Sequence, residues 1–297
     1  MKITKKNDSE RVRETVRQGY ADIARGASET KETAPSSCCG PKGGCGTAMP
    51  AADAFAAGIG YSADEVASLP EGTNMGLSCG NPTAIASLQA GEVVLDLGSG
   101  GGMDVFVAGP KVGATGRVIG VDMTAEMLSK ARKNAALYRE RTGLDNVEFR
   151  LGEIEHLPVA DKSVDVVLSN CVLNLSPDKA QVWREIARVL KPGGRVAVSD
   201  LALLKPLPEA VVDMVEALVG CVAGASLVRD TEQWMRDAGL SEISLRPKPE
   251  YVRAMTTFED PLYREIVSHL PQGSSPADYI TSLDVSARKP VPARCCS

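Results

Sequence analysis

Cysteine gives this sequence its chemical character. Eight thiols stand at Cys38, Cys39, Cys45, Cys79, Cys171, Cys221, Cys295 and Cys296, against two histidines, His156 and His269. That density is far below that of a small disulfide scaffold, so the cysteines are expected as thiols available for redox or soft-metal chemistry. Zinc or acid–base sites built on imidazole are poorly supplied, and both histidines are expected at the surface without a role. Neighbouring Cα atoms lie about 3.8 Å apart, below the disulfide window of roughly 4.4–6.8 Å, so Cys38 and Cys39 should exchange with distant thiols rather than pair together. With Cys45 they lack the C-x₂-C spacing of zinc ribbons. Cys79 sits in a glycine-bounded loop before a helix start, where Asn81 caps and Pro82 takes the first position. A thiol there tends towards thiolate, or simply fills the turn. Cys171 at a strand end and Cys221 in an Ala/Gly/Val stretch read singly as packing residues as readily as ligands. Cys295 and Cys296 lie in a terminal ARCCS that reads as a mobile tail.

The elements that must position these thiols centre on VVLDLGSGGGMDVF, Val93 to Phe106. An apolar run enters Asp96, glycines crowd from Gly98 to Gly102, and an apolar run resumes, the pattern of a buried strand turning into a helix around a nucleotide-type cofactor. Strand EVVLDL, this turn, helix MDVFVAGPKVG and strand RVIGVD form a βαβ unit ending in Asp122, an acid placed to accept from ribose hydroxyls. The third fingerprint position for NAD is Met103 rather than Gly or Ala. Together with Asp96 before the turn, this favours S-adenosylmethionine, which has no pyrophosphate, over a dinucleotide. Further strands VEFRL, SVDVVLS and GRVAVSD alternate with helices, one capped by Thr124 and one started at Ser176 and Pro177 and stopped at KPGG. The expected fold is α/β, a doubly wound and mostly parallel sheet with ligands at the strands' carboxyl ends, where Glu153, Ile154, Asn170 and Cys171 fall.

Domain organisation follows from composition. Residues 1–50 read as a helix, with Val12, Val16, Tyr20 and Ile23 at helical spacing, followed by a mobile Cys-bearing linker. Tyr20 reads as stripe packing more readily than as a pocket residue. Residues 51–289 form the main domain, with insertions at about 204–230, carrying Cys221, and about 252–270, and 290–297 form the tail. SEISLRP and an antiparallel DYITSLDVSARKP complete the sheet. Net charge is −5 with 33 scattered basic residues, which argues against a nucleic-acid or membrane partner. No apolar leader follows MKITKKNDSE, and Ala217 to Val228 is too short and Gly-rich to span a bilayer, so a cytoplasmic protein is expected.

DLGSGGG, VIGVDMT, LGEIEHLPVADKSVDVVLSNCVLNL and VLKPGGRVAVSD resemble, in order and spacing, the motifs of class I S-adenosylmethionine-dependent methyltransferases. SNCVLNLSPDK, the GCVAGA around Cys221 and the SCGNP around Cys79 are similar, more specifically, to arsenite methyltransferases, over a match from about Val12 to Pro290. The resemblance implies that Asp96, Gly98, Gly100 and Gly102 hold the methionine end of the cofactor, Asp122 the ribose, and Met123, Glu153, Ile154 and Asn170 the adenine and nearby atoms. It further implies Cys79, Cys171 and Cys221 as arsenic(III) ligands, with Cys45, Cys38 or Cys39 as a relay or redox thiol. Trivalent arsenic is thiophilic and keeps a nucleophilic lone pair when bound by three thiolates, so neither catalytic base nor metal ion is needed for methyl transfer. Arsenite or its thiol conjugates are then the substrate, and thioredoxin or glutathione the reductant. Another soft nucleophile (antimonite, a selenium species or a thiol) and a metalloid-sequestering module are the alternatives. Longer members of the family carry a further C-terminal domain that this chain largely lacks.

Overall fold

The computed structural model describes residues 5–29, 52–214, 221–257 and 261–292. Its sheet follows the βα alternation of the sequence. Strands β1 (Val93–Leu97), β2 (Arg117–Asp122), β3 (Val147–Leu151), β4 (Val164–Asn170), β5 (Leu190–Leu203), β6 (Ser226–Leu227), β7 (Ser241–Lys248) and β8 (Ile280–Arg288) are arranged in the order β3-β2-β1-β4-β5-β8-β7, with β6 pairing β5. Strands β1 to β6 pair in parallel, whereas β8 runs antiparallel between β5 and β7. Parallel strands covered on both faces need apolar residues at consecutive positions. Val94, Leu95 and Leu97 of β1, and Val166, Val167 and Leu168 of β4, are accordingly buried.

The helices are α1 (Lys5–Glu29), α2 (Ala52–Gly58), α3 (Ala63–Ser68), α4 (Pro82–Ala86), α5 (Met103–Val112), α6 (Ala125–Thr142), α7 (Lys179–Val189), α8 (Glu209–Val212), α9 (Val228–Asp237), α10 (Pro249–Thr257) and α11 (Pro261–Ser268). Helix α5 packs on β1 and β2, α6 on β2 and β3, and α7 against β5 and α9. Val182, Trp183, Ile186 and Val189 place one apolar stripe of α7 in the core, each such side chain contributing about 1.5–3 kcal/mol by burial. Helix α1 lies across α6 and the 3₁₀ turn Leu173–Leu175. It thereby roofs the carboxyl end of the sheet, where Val16 is fully buried.

Asn81 caps α4 as expected, its side chain accepting from Ala84 N at 3.0 Å. Three local expectations are corrected. Helix α7 starts not at Ser176 and Pro177 but one residue beyond them, at the cap Asp178, whose carboxylate accepts from Gln181 N at 2.9 Å. Thr124 occupies the N-cap position of α6 without a side-chain capping bond. KPGG lies within β5, which begins at Leu190, because Lys162 N and Ser163 N bond to Arg188 O and Val189 O and draw the chain into the sheet early. Among the described residues, no helix is long and apolar enough to cross a membrane.

Candidate active site

The glycine turn forms the floor of a cleft at the carboxyl ends of β1, β2 and β4. It encloses about 990 Å³, open solvent at its mouth included, within the range of small-molecule sites. Gly98 and Gly100 have φ of 65° and 50°, which favour glycine. The turn is tied to β2: Gly98 N and Ser99 N donate to Val121 O at 2.8 and 3.0 Å, and Gly100 N to the Asp122 carboxylate at 2.9 Å. The other Asp122 oxygen accepts from Thr124 N at 2.8 Å, so this acid shapes the turn as well as facing the cleft.

Of the residues expected to hold a cofactor, Asp96, Gly98, Gly100, Asp122, Met123, Ile154 and Asn170 line the cleft. Two do not. Gly102 is absent from the lining; its φ is 95°, and a Cβ there would meet Phe106 at 2.7 Å and Phe149 at 2.9 Å, so the position requires glycine for the turn and its packing. Glu153 pairs with Arg13 at 3.5 Å and Arg17 at 3.6 Å. Glu155, two residues on, lines the cleft; it accepts from Ser176 Oγ at 2.7 Å and also pairs with Arg13 at 3.5 Å. Tyr20 lines the cleft together with Arg13 and Val16, so the α1 stripe does more than pack.

The cleft is built to receive positive charge. Asp96, Asp104 and Asp122 are buried in its wall, and no cation is paired with any of them among the described salt bridges. Burial and the neighbouring carboxylates hold Asp96 well above the ordinary carboxylate range, and burial pushes Asp104 up to about 6. Asp104 accepts from Tyr61 Oη at 2.7 Å and from Asn170 Nδ2 at 3.2 Å. Asn170 also lies 2.9 Å from Gly80 O, and its own carbonyl accepts from Cys79 N at 3.1 Å. It therefore links the cleft to the Cys79 loop.

Cys79, Cys171 and Cys221 converge in one buried apolar cluster. Cys79 and Cys171 are joined by a disulfide, 92 residues apart in sequence, a pairing the sequence did not anticipate. Cys221 is the free thiol among the described residues, and its Sγ donates to Cys171 O at 2.8 Å. Cys171 itself lines the cleft. Both Cys171 and Cys221 have left-handed backbone, φ 54° and 63°, a conformation non-glycine residues rarely adopt outside special sites. The Cys171 turn is anchored by its N–H to Ser199 O at 2.9 Å. Beneath the pair lies Asp200, with a carboxylate oxygen within 4.8 Å of both sulfurs. It accepts from Leu173 N, Leu201 N and Asn174 Nδ2 at 2.8–2.9 Å, yet burial still pushes it up to about 7. Burial, with Asp200 next, holds the Cys221 thiol far above its ordinary range. Cys38, Cys39, Cys45, Cys295 and Cys296 lie outside the described residues. His156 and His269 are exposed, as expected.

Residues 88–239 match the family model of a methyltransferase domain. The chain is 45% identical over 290 residues to the arsenite methyltransferase of Halobacterium salinarum, covering 95% of this chain and 68% of the relative. It is 46% identical over 160 residues to that of Aquipseudomonas alcaligenes, covering 52% of this chain but only 46% of the relative. Among solved structures, an arsenic(III) S-adenosylmethionine methyltransferase from Chlamydomonas reinhardtii superposes with a TM-score of 0.58 at 32% identity, covering 84% of this chain and 76% of that one. Joined to the sheet order, the glycine cradle and the converging cysteines, these matches establish that the chain belongs to the arsenite methyltransferase family, on a class I, Rossmann-like methyltransferase fold.

Proposed function

We propose that this protein is a cytoplasmic enzyme that methylates thiolate-bound trivalent arsenic with S-adenosylmethionine, turning arsenite into methylated arsenicals as a means of detoxification. The observation that carries the reading is the double membership of Cys171, which belongs both to the lining of the cofactor-sized cleft and to the cysteine cluster. The cleft fits the cofactor: buried carboxylates with no cation paired to them among the described residues suit a ligand bearing an ammonium and a sulfonium. Asp96 would face the methionine end and Asp122 the ribose. Bound there, S-adenosylmethionine supplies an electrophilic methyl group.

The protein's own residues prepare the nucleophile. A dithiol such as reduced thioredoxin, or two molecules of glutathione, gives two electrons and two protons to the Cys79–Cys171 disulfide, releasing two thiols and leaving the reductant as a disulfide. The three thiols then displace the three hydroxyls of arsenite, each thiol proton leaving with a hydroxyl as water. Arsenic held by three sulfurs keeps its lone pair, so the transfer step requires orientation rather than a base or a metal ion. Methylation raises arsenic to the pentavalent state. Closure of two thiolates into the Cys79–Cys171 disulfide would return the two electrons that restore the trivalent state.

The test is incubation of the reduced protein with arsenite, methyl-labelled cofactor and a dithiol, with separation of labelled arsenicals by chromatography. Methylated arsenic is expected from the native chain and none from Cys171→Ser. Absence of product from the native chain would overturn the proposal.

A further inference from the structure

Tyr20 stands where the cleft meets the cysteine cluster. It lines the cleft with Arg13 and Val16, which share its face of α1, and its hydroxyl lies 3.9 Å from Cys221 Sγ. Cys221 is the described thiol outside the disulfide. Its Sγ bonds to Cys171 O, a contact it must give up to turn towards a substrate. The helix that brings Tyr20 there is fastened at several points. Arg13 pairs with Glu153 and Glu155 at 3.5 Å, Arg17 with Glu153 at 3.6 Å, and Arg25 with Glu126 at 2.8 Å. These partners lie in the loop after β3 and in α6, both part of the cofactor half of the molecule.

We infer that Tyr20 is a positioning residue for Cys221. Its hydroxyl keeps the third sulfur at the border between the cleft and the Cys79–Cys171 pair, so that a soft substrate is held by three sulfurs rather than two. Because Tyr20 rides on α1, the three-sulfur site is complete only while α1 is docked over the cleft. This inference rests on the arsenic reading for its substrate, but the contact between Tyr20 and Cys221 can be tested without arsenic.

The experiment compares Tyr20→Phe, which keeps the ring and removes only the hydroxyl, with the native chain and with Tyr20→Leu. In the oxidised protein, where Cys79 and Cys171 are protected, N-ethylmaleimide labelling of Cys221 is followed by peptide mass mapping. Cys221 is 3% exposed, so labelling is limited by access, and a sulfur no longer held by the Tyr20 hydroxyl is expected to label about fivefold faster in Tyr20→Phe and at least as much in Tyr20→Leu, the gain in access outweighing the lost stabilisation of the thiolate. In the reduced protein titrated with arsenite, X-ray absorption is expected to count three sulfurs on arsenic in the native chain and to fall towards two in Tyr20→Phe. The KM for arsenite should rise by a similar factor. In a Cys221→Ser background the Tyr20→Phe change should do nothing further, a coupling that a merely structural role would not produce. Unchanged labelling together with three sulfurs in Tyr20→Phe, or an effect of equal size in the Cys221→Ser background, overturns the inference while the arsenic reading stands. Faster labelling in a protein whose native form binds no arsenite supports the role of Tyr20 and sinks the arsenic reading instead.

Discussion

Replacing Gly98 with alanine tests whether the cofactor cradle and the Cys171 turn are mechanically joined. The position has φ 65°, where a left-handed alanine costs about 1–2 kcal/mol. An added Cβ would also lie 2.2 Å from Val172 Cγ2, 2.7 Å from its Cβ and 3.0 Å from its Cγ1. Such crowding in a packed site costs about 1–3 kcal/mol, so Gly98→Ala is expected to destabilise by about 2–5 kcal/mol. The steric part should be relieved in stages by changes at residue 172. Val172→Ala removes both γ carbons but leaves the 2.7 Å contact, and Val172→Gly removes all three. The coupling energy in a double-mutant cycle should therefore be larger with glycine than with alanine, approaching about 1–3 kcal/mol, while the backbone cost remains. Urea unfolding followed by the fluorescence of Trp183 and Trp234, under fixed redox conditions, supplies the energies from midpoint shifts at constant slope. Additivity within about 0.5 kcal/mol in both cycles would refute the reasoning, because it would mean that the two residues do not press on one another.

Three further outcomes are expected. Reduction of the Cys79–Cys171 disulfide opens a loop of 92 residues and should lower stability by about 4.6 kcal/mol on a chain-entropy argument, with arsenite restoring part of it; urea midpoints with and without dithiol measure both. Asp104 ionises near its ordinary 3.8 when unfolded and at about 6 in the fold, so the folded state holds the extra proton between those values. Its contribution to stability therefore falls as pH rises through that window, by at most about 1.4 kcal/mol per unit, and Asp104→Asn should flatten thermal melts recorded from pH 4 to 7. Replacing Arg13 and Arg17 together with alanine should speed release of S-adenosylhomocysteine in stopped-flow measurements and weaken its dependence on salt, since ion pairs at this depth are partly screened.

The sheet and the glycine cradle were legible because both rest on local signals. Consecutive apolar residues mark buried parallel strands, and glycines must stand where φ is positive. What escaped the sequence depends on distant residues meeting. Glu153 and Glu155 sit in the same loop and both pair with Arg13; only the distant partners Arg17 for the first and Ser176 for the second distinguish them, and Glu155 lines the cleft. Tyr20 occupies a helical stripe that would read the same if it merely packed. Eight cysteines allow 105 complete pairings, and the meeting of the Cys79 loop with the turn after β4 is fixed by Asn170 and by the backbone of Ser199, neither of which signals it locally. The anchoring of Asp122 to Gly100 N was also hidden, because an acid at that position reads as a ribose ligand whether or not it holds the turn.

The left-handed backbone at Cys171 and Cys221 has a consequence for how such a gene can decay. A single nucleotide change turns either cysteine codon into a glycine codon, and glycine relieves about 1–2 kcal/mol of backbone cost at such a position. At Cys221, which stands outside the disulfide, that relief offsets part of the lost packing of the sulfur, so the altered chain stays folded and escapes the quality control that clears unstable mutants, whereas at Cys171 the same change also opens the Cys79–Cys171 bond. Populations released from arsenic should therefore accumulate intact, silent copies of this protein through glycine at Cys221, sooner than through glycine at Cys171 or copies broken in the core.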